Sequence, residues 1–466
     1  MADGATETTA SGKGWLREFV ALSVLAWPIA ATNLAQVAMS ATDVVMMGRL
    51  GPETMAAGAL GANLYFVALV LGIGLLNAVA PIAARALGRD SQAKDDVAST
   101  VREGLWSCVL LVVPCWAILW WSESLLLVMG QDPALAAEAG RYVRALMWAL
   151  LPFWAYLVLR SFMSVLERPF WALVIGLVGV VANAAGNWCL MLGGCGIEPL
   201  GIAGSGLATT FASIFMFIAV ALVVAYDRHF ASFAVLARLW RPDWSRLAEL
   251  WRLGLPMAAT LLFEVTIFNA AVFLMGLIGT SALAAHTIAI QIASLTFMVP
   301  LGIGQAATVR VALAYGRHDR AGIQRAGWTA FWLATGFMAL TSLVMIFAPH
   351  ALISAFLDTD APANAEVVSL AATYLLLAAL FQVVDGAQAV GGGMLRGLHD
   401  ARAPMLFALV GYWGIGLPLG VVLAFGLGLG GTGIWIGLAT GLAVVAVLMI
   451  RRWQRREALG LVRPLL

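Results

Sequence analysis

Apolar residues in this chain fall into twelve long runs separated by short polar segments. A helix needs about twenty apolar residues to cross the roughly 30 Å of hydrocarbon in a bilayer, and each run is close to that length or longer. We therefore predict membrane spans at residues 20–47, 54–84, 104–128, 139–163, 170–194, 202–226, 250–277, 282–314, 326–348, 367–395, 404–425 and 432–450.

A backbone in hydrocarbon has to satisfy its polar groups internally, so a spanning chain forms helices or a closed barrel. The runs are longer and more continuous than the alternating strands of a barrel, which favours helices. Composition agrees, because 62% of the 466 residues are apolar and only 11% are charged. A soluble domain is nearer half apolar and a quarter charged. The predicted fold class is an all-α polytopic membrane protein with twelve transmembrane helices.

Basic residues are divided unevenly between the two sides that these spans define. Of the 27 Lys and Arg residues, 24 fall on one side, and the other three are Arg49, Arg141 and Arg144. The positive-inside rule places the basic side, with both chain termini, in the cytoplasm. The basic loops are thus interpreted as topology signals, and we expect no binding of nucleic acid.

An internal repeat becomes visible when the sequence is shifted by 228 positions. PIAATNLAQV (28–37) then aligns with PMAATLLFEV (256–265), and Gly51 aligns with Gly279. The chain is therefore predicted to form two six-helix lobes related by a pseudo-twofold axis along the membrane normal, an arrangement in which transporters commonly bind substrate between the halves. The predicted parts are a disordered cytoplasmic tail (1–15), an N-lobe with helices 1–6 (16–230), and a C-lobe with the linker and helices 7–12 (231–466).

Three carboxylates lie inside the predicted spans: Asp43, Glu264 and Asp385. A charge near the bilayer centre costs at least a few kcal/mol, so an ionisable residue there suggests a functional site. The acids are not part of the repeated pattern, since Glu264 aligns with Gln36 and Asp43 aligns with Ala271. That difference argues against a purely architectural role for them.

A polar stripe runs along the first predicted helix. Its members are Asn33, Gln36, Ser40 and Asp43, at spacings that place them on one face. On the fifth helix, Asn183 and Asn187 are four residues apart and share a face in the same way. Both sets can line a water-filled cavity, or they can form interhelical hydrogen bonds that only hold the bundle together.

The tenth predicted helix has a polar face of its own. Gln382, Asp385 and Gln388 recur every three residues, and three consecutive glycines follow at 391–393. Consecutive glycines can permit a bend or a close approach of helices. The sequence leaves the hinge and the packing interpretation open.

We find no Lys or Arg inside the predicted helices that could pair with the three acids. Burial disfavours the charged form of an unpaired carboxylate unless the group binds a cation. Each acid can therefore take up a proton, hold Na+ with the help of amide and hydroxyl oxygens, or attract an organic cation. Competition of ion and substrate for one charge is the simplest antiport mechanism.

The usual enzyme signatures, such as a P-loop, an HExxH motif or a cysteine and histidine cluster, are absent from the sequence. We expect no enzymatic activity and no permanently bound cofactor, with transport driven by an ion gradient or a partner subunit. His286 is the one histidine near the core of a predicted span, and we expect it to make a structural hydrogen bond. Cys189 and Cys195 can form a disulfide at the outward end of the fifth helix or remain small buried residues.

Four stretches, in this order, resemble the MATE family (multidrug and toxic compound extrusion): TDVVMMGRLG, FEVTIF, AAHTIAIQIASLTFMVPLGIGQAATVRV and GGGMLRGLHDARAPM. The resemblance spans nearly the whole chain, and Glu264 points to the NorM branch. It implies two six-helix lobes around a central cleft. The implied activity is the efflux of cationic, often aromatic, drugs and dyes in exchange for Na+ or H+.

The resemblance also implies roles for individual residues. Asp43 matches the family's acidic residue in helix one, and Glu264 and Asp385 match the second-lobe acids associated with the coupling cation, which makes these two the candidate Na+ ligands. Phe381 offers no hydroxyl where some relatives carry tyrosine, which favours protons. The candidate residues of the substrate cavity are Asn33, Gln36, Asn183, Asn187, Gln291, Phe381, Gln382 and Gln388.

Two other functions compete with multidrug antiport. A lipid-linked oligosaccharide flippase of the same superfamily would need cationic residues for an anionic headgroup, and we find none within the predicted helices. A membrane enzyme or passive channel is disfavoured by the missing catalytic cluster and by the three acids. We predict a monomeric, cation-coupled antiporter of the bacterial inner membrane that exports small organic cations and has the lipid bilayer as its other partner.

Overall fold

The computed structural model describes residues 3–237 and 239–462, and it describes side chains from residue 14 onward in that range. All regular secondary structure in this part of the chain is helical. Twelve of its helical stretches are long and apolar enough to cross a membrane. Each overlaps one of the predicted spans, so the predicted all-α architecture with twelve membrane helices is confirmed.

The helices follow one another with short connections. The first half of the chain contains α1 (Asp3–Gly48), α2 (Pro52–Leu76), α3 (Val79–Arg89), α4 (Lys94–Trp120), α5 (Ser122–Val128), α6 (Pro133–Leu146), α7 (Leu150–Val165), α8 (Phe170–Gly186), α9 (Ile202–Tyr226) and α10 (Arg228–Ala231). The second half contains α11 (Trp244–Ile278), α12 (Thr280–Gly316), α13 (Arg320–Phe347), α14 (Pro349–Ile353), α15 (Ala365–Gly397), α16 (Arg402–Ala408), α17 (Leu417–Val421) and α18 (Gly431–Gln454). Within the described residues, π-helical segments interrupt or extend these helices at Asn187–Met191, Leu409–Gly416 and Val422–Gly426.

The turns between paired helices follow the sequence repeat. Gly51, between α1 and α2, has φ of 118°, and Gly279, between α11 and α12, has φ of 157°. A residue with a side chain rarely adopts these φ values, so both turns require glycine. The same backbone problem is therefore solved by the same residue at equivalent positions of the repeat.

Contacts within the chain form two compact units. We call residues 31–258 the N-unit, and residues 1–30 together with 259–466 the C-unit. Helix α1 passes from the C-unit to the N-unit after Ala30, and α11 passes in the opposite direction after Ala258. Ala30 and Ala258 are equivalent positions of the sequence repeat.

The boundaries of these units differ from those of the predicted lobes. In both α1 and α11, the first half of the helix belongs to one unit and the second half belongs to the other. A Cβ atom on Gly302 would lie 2.7 Å from the Cα atom of Ala30 within the C-unit, and one on Gly74 would lie 2.3 Å from that of Ala258 within the N-unit. Gly74 and Gly302 are themselves equivalent in the repeat. Helix α1 begins at Asp3, within the segment predicted as a tail.

The linker between the sequence halves is held against α4 in the N-unit. The indole N–H of Trp106 donates to the carbonyl oxygen of Leu239 at 2.8 Å. The buried carboxylate of Glu103 accepts from the backbone N–H of Asp243, also at 2.8 Å. Two side chains of α4 thus hold the linker in place.

The glycine run at 391–393 lies within α15, which is helical from Ala365 to Gly397 without interruption. A Cβ atom on Gly393 would lie 2.3 Å from the carbonyl oxygen of Gly304 on α12. Of the two interpretations left open by the sequence, the contacts favour close packing of α12 against α15.

Two of the four cysteines form the disulfide that the sequence left open, and the other two are free. Cys189 and Cys195 form a disulfide across a six-residue separation, whereas Cys108 and Cys115 are free and buried.

Candidate functional site

A first polar cluster lies in the N-unit, and we call its four members, Asp43, Asn183, Asn187 and Thr209, the Asp43 cluster. The Asp43 carboxylate accepts from the amide of Asn187 at 2.7 Å and from the hydroxyl of Thr209 at 2.9 Å. The amide of Asn183 donates to the Thr209 hydroxyl at 3.0 Å, and the amide of Asn187 lies 3.3 Å from the side-chain oxygen of Asn183. The predicted Asp43, Asn183 and Asn187 are therefore joined in one network.

Local helix geometry positions this network. Asn183 and Asn187 lie one turn apart, and Asn187 begins the π-helical segment that follows α8. A π-helical turn inserts an extra residue and commonly occurs at functional sites. Thr209 comes from α9, and the buried tyrosines Tyr65 and Tyr142 lie within electrostatic range of Asp43. Within the described part of the chain, the groups that stabilise the Asp43 charge are neutral hydrogen-bond donors.

The rest of the first-helix stripe reaches a different partner. Asn33 is buried and accepts from the guanidinium of Arg160 at 3.3 Å. The amide nitrogen of Gln36 is buried without a hydrogen-bond partner in the described part of the chain, and Ser40 is exposed. The residues of the stripe therefore make separate contacts, and Asp43 forms more side-chain hydrogen bonds than Asn33.

Arg160 corrects a prediction made from the sequence. It lies on α7 inside the span Pro133–Val165 and is 9% exposed, so the prediction of no cationic residue within the helices is wrong. Arg396, in the last turn of α15, is a second case. Both positions are close to helix ends, and Arg160 is nevertheless buried, with its guanidinium bound to the side-chain oxygen of Asn33.

A second polar cluster lies in the C-unit, and we call its members, Glu264, Asp385, Gln388, Arg396 and Tyr412, the Glu264 cluster. The side chain of Gln388 lies near the carboxylate of Glu264. Electrostatic interactions link Glu264 to Asp385, to Arg396 and to Tyr412. Helix α11 thus supplies one acid, and α15 supplies the second acid, the amide and the arginine.

The Glu264 cluster contains buried oxygen atoms without partners. Asp385 is 6% exposed and Gln388 is 4% exposed. Neither Oδ1 of Asp385 nor Oε1 of Gln388 has a hydrogen-bond partner among the described residues. A buried polar atom left unpaired costs about 1–3 kcal/mol, so the Asp385 oxygen can accept a proton or a cation, and the Gln388 oxygen can accept a hydrogen bond or a cation.

Aromatic rings border this cluster. Phe381, one turn before Asp385, packs edge-on against Phe268 and Trp435, with ring centroids 6.0 and 5.7 Å away. His286 is fully buried, its ring lies 5.4 Å from that of Trp435, and neither ring nitrogen has a hydrogen-bond partner in the described residues. The expected structural hydrogen bond of His286 is therefore not formed within this part of the chain, and the residue packs as an aromatic ring.

Two predicted cavity residues have other surroundings. The amide of Gln382 donates to Thr341 at 2.8 Å and to Ser342 at 3.1 Å, and its oxygen accepts from Thr296 at 2.9 Å. These bonds join α12, α13 and α15 and occupy the whole amide, so we reassign Gln382 to helix packing. Gln291 lies exposed on α12, apart from the contacts that define the Glu264 cluster.

Sequence reasoning missed Thr209, Arg160, Arg396 and Tyr412. The signal for Arg396 was available, because it follows Asp385 by eleven residues, or about three helical turns, and so continues the same face. The signal for Thr209 lay in the repeated tetrapeptide GLAT at 206–209 and 437–440. Nothing in the sequence distinguishes Tyr412 from an interfacial tyrosine.

Comparison with known proteins agrees with this architecture. The MatE family model matches residues 28–189 and 256–422, two stretches whose first residues, Pro28 and Pro256, are equivalent in the repeat. A Mesorhizobium japonicum protein named "Probable multidrug resistance protein NorM" is 58% identical over 96% of each chain. A Burkholderia vietnamiensis protein named "Multidrug resistance protein NorM" is 43% identical over 99% of each chain.

Solved structures give the same fold. A MATE transporter of Vibrio cholerae aligns with a TM-score of 0.85 and 17% identity, over 97% of this chain and all of that one. A eukaryotic MATE transporter aligns with a TM-score of 0.83 and 22% identity, over 96% and 99% of the two chains.

Proposed function

Because this chain belongs to the MatE family, we propose that it is a cation-coupled multidrug efflux antiporter that exports small organic cations by alternating access. The names of its relatives support drug export, and the two acidic clusters support cation exchange. The observation that carries the proposal is the Glu264 cluster, which holds two acids inside membrane helices, one of which, Asp385, retains an unpaired carboxylate oxygen.

Charge within the Glu264 cluster suggests the number of ions. Ionised Glu264 and Asp385 carry two negative charges, and Arg396 supplies one positive charge. The remainder is one negative charge, which a single monovalent cation neutralises. Two interacting acids titrate as a pair, so that cation belongs to the cluster and not to one residue.

We propose H+ as the coupling ion, with Na+ as the alternative. Phe381 and its aromatic neighbours supply no oxygen beside the acids, and no group of three or more His, Cys, Asp or Glu side chains was found in the described residues. A proton needs one unpaired carboxylate oxygen, and Asp385 offers one. A Na+ ion would need several oxygen ligands at once, so the unpaired Oε1 of Gln388 and both acids would have to bind it together.

The Asp43 cluster is proposed to attract the organic cation. Its carboxylate is held by neutral donors, so the negative charge remains available to a positively charged ligand. The aromatic rings beside Phe381 are proposed to stack with flat substrates. We further propose that the protein acts as a monomer in the bacterial inner membrane with both termini in the cytoplasm, because basic residues concentrate on that side.

The flippase alternative is not retained. Its exclusion no longer rests on missing cations, since Arg160 and Arg396 lie within membrane helices. It rests on the relatives, which match this chain over nearly the whole length of both sequences and are named for multidrug resistance.

The test is transport of a fluorescent cationic dye in proteoliposomes, with pH and Na+ gradients imposed separately. We expect the pH gradient alone to drive export. Glu264→Gln and Asp385→Asn should each abolish the driven export and leave dye binding measurable, because an amide keeps hydrogen bonds but cannot exchange a charge. The double variant should be no worse than either single one, as expected for residues that act as a unit.

Glu366→Gln provides the matched control. Glu366 lies on the same helix, α15, but is exposed and accepts from Ser281 at 2.9 Å. The Glu366→Gln variant should export dye at the rate of the unmodified protein. Unchanged coupling in Glu264→Gln would show that the acid has a packing role, and export driven by Na+ alone would replace H+ as the proposed ion.

A further inference from the structure

A cavity of about 360 Å³ lies in the C-unit where α1 starts its span, α12 ends and α13 begins. It is separate from both acidic clusters. Six of its lining side chains are charged, namely Arg17, Glu18, Arg310, Arg317, Asp319 and Arg325. The four arginines exceed the two acids, so the lining has a net charge of +2.

The two acids already have partners. Glu18 accepts from Arg310 through both of its oxygens, at 2.8 and 2.6 Å. Asp319 accepts from the first-turn N–H of Gly322 at 2.8 Å and lies 3.6 Å from the guanidinium of Arg325. These contacts fix one arginine firmly and a second one loosely.

Arg17 and Arg317 provide the uncompensated charge. Both are exposed at the cavity, on α1 and just after α12. Neither is within salt-bridge distance of a carboxylate among the side chains that the structure describes. Two guanidinium groups from different helices thus face one space that holds no free acid.

We propose that this cavity binds a phosphate group, carried by the headgroup of an anionic phospholipid or by free phosphate. Arginine presents a planar fork of donors that matches phosphate oxygens, and this lining uses arginine and no lysine.

Apolar surface beside the cavity favours a lipid as the carrier of that phosphate. On α1, Leu16, Phe19 and Val20 are 64%, 45% and 52% exposed. Trp332 on α13, two turns beyond Arg325, is 66% exposed. A lipid can place its acyl chains against such residues while its headgroup enters the cavity. The basic side of the membrane is the one predicted to be cytoplasmic, where anionic lipids attract basic residues.

The test compares lipid binding by the purified full-length protein and by Arg17→Gln/Arg317→Gln. Phosphatidylglycerol and phosphatidylcholine of identical acyl chains are titrated in detergent, with bound lipid counted by native mass spectrometry and unfolding followed by heating. We expect the protein to bind phosphatidylglycerol about tenfold more tightly than phosphatidylcholine, and the double variant to lose that preference. Arg241→Gln/Arg402→Gln, which removes two exposed arginines outside the cavity, should keep it.

A lysine variant and a comparison of phosphate with chloride complete the experiment. Arg17→Lys/Arg317→Lys keeps both charges without the planar fork, and it should retain part of the preference even if the glutamine variant fails to fold. Inorganic phosphate is compared with chloride at equal ionic strength. Protection by phosphate that only the cavity variants lose would support the site and identify free phosphate as its ligand. Equal lipid preference in the protein and in both cavity variants would overturn the proposal.

Discussion

Replacing Asp43 with asparagine separates the charge of this residue from its hydrogen bonds. The new side chain has nearly the same shape, and its oxygen can still accept from Asn187, which lies 2.7 Å from the carboxylate. Its NH₂ group would face Thr209, whose hydroxyl oxygen accepts from Asn183 and has a second lone pair available. Asparagine therefore keeps the contacts with Asn187 and Thr209, and the one donor that loses its acceptor is the Thr209 O–H, which donates to Asp43 in the unmodified protein.

The free energies favour a folded variant. Exchange of one hydrogen bond between membrane helices is worth about 0.6 kcal/mol. Removing a charge from a membrane helix gains about 2.5–3.5 kcal/mol when the group lies near the bilayer centre and less when it lies near a helix end. Asp43→Asn should thus be as stable as the unmodified protein or slightly more stable. Asp43→Ala, in contrast, leaves the donors of Asn187 and Thr209 unpaired, at about 1–3 kcal/mol each.

The assay pairs thermal unfolding with dye export from proteoliposomes. Asp43→Asn should unfold at an unchanged or higher temperature and lose gradient-driven export, whereas Asp43→Ala should unfold at a lower temperature. Thr209→Ser keeps the hydroxyl and serves as the control that retains both properties. Export by Asp43→Asn at the unmodified rate would refute the transport role. Instability equal to that of Asp43→Ala would mean that the fold needs the charge.

The remaining predictions concern packing and topology. Gln382→Leu removes three side-chain hydrogen bonds between helices and should lower the free energy of unfolding by about 2 kcal/mol without changing the ion dependence of export, measured by chemical denaturation and transport. Gly393→Ala should cost about 1–3 kcal/mol because its Cβ meets a backbone carbonyl of α12 at 2.3 Å, whereas Gly336→Ala, with nothing within 4 Å, should not destabilise. Reporters fused after Arg241 and near Asp360 should report opposite sides of the membrane, cytoplasm and exterior, and a reversed reporter would contradict the assigned orientation.

The spans were predictable because length and hydropathy are local properties of the sequence. A run such as 202–226 is long and apolar enough to cross a bilayer whatever surrounds it, and the structure has a helix with those bounds. The repeat was equally readable, since Gly51 and Gly279 occupy equivalent turns. The extent of each packing unit was not readable, because it depends on which helices meet. Helices α1 and α11 therefore divide between units at points that composition does not mark.

The polar residues show why site prediction stops at the helix face. Gln382 and Gln388 are six residues apart on α15 and look equivalent in the sequence. Thr341 and Ser342 of α13 bind the first, so it becomes a packing residue. The second lies near Glu264 of α11 instead. Only the positions of neighbouring helices separate these roles.

Comparison of the two clusters suggests what the repeat preserves. Glycine turns and close backbone approaches recur at equivalent positions, because two similar helix bundles pose the same steric problem twice. The acids do not recur, yet each cluster has the same net charge when its acids are ionised. Asp43 carries one negative charge among neutral donors, while Glu264 and Asp385 carry two with Arg396 compensating one. This equal net charge fits the proposed exchange of monovalent cations, because a cluster with a larger net charge would hold its ion more tightly. Different residues therefore meet one electrostatic requirement on a duplicated scaffold.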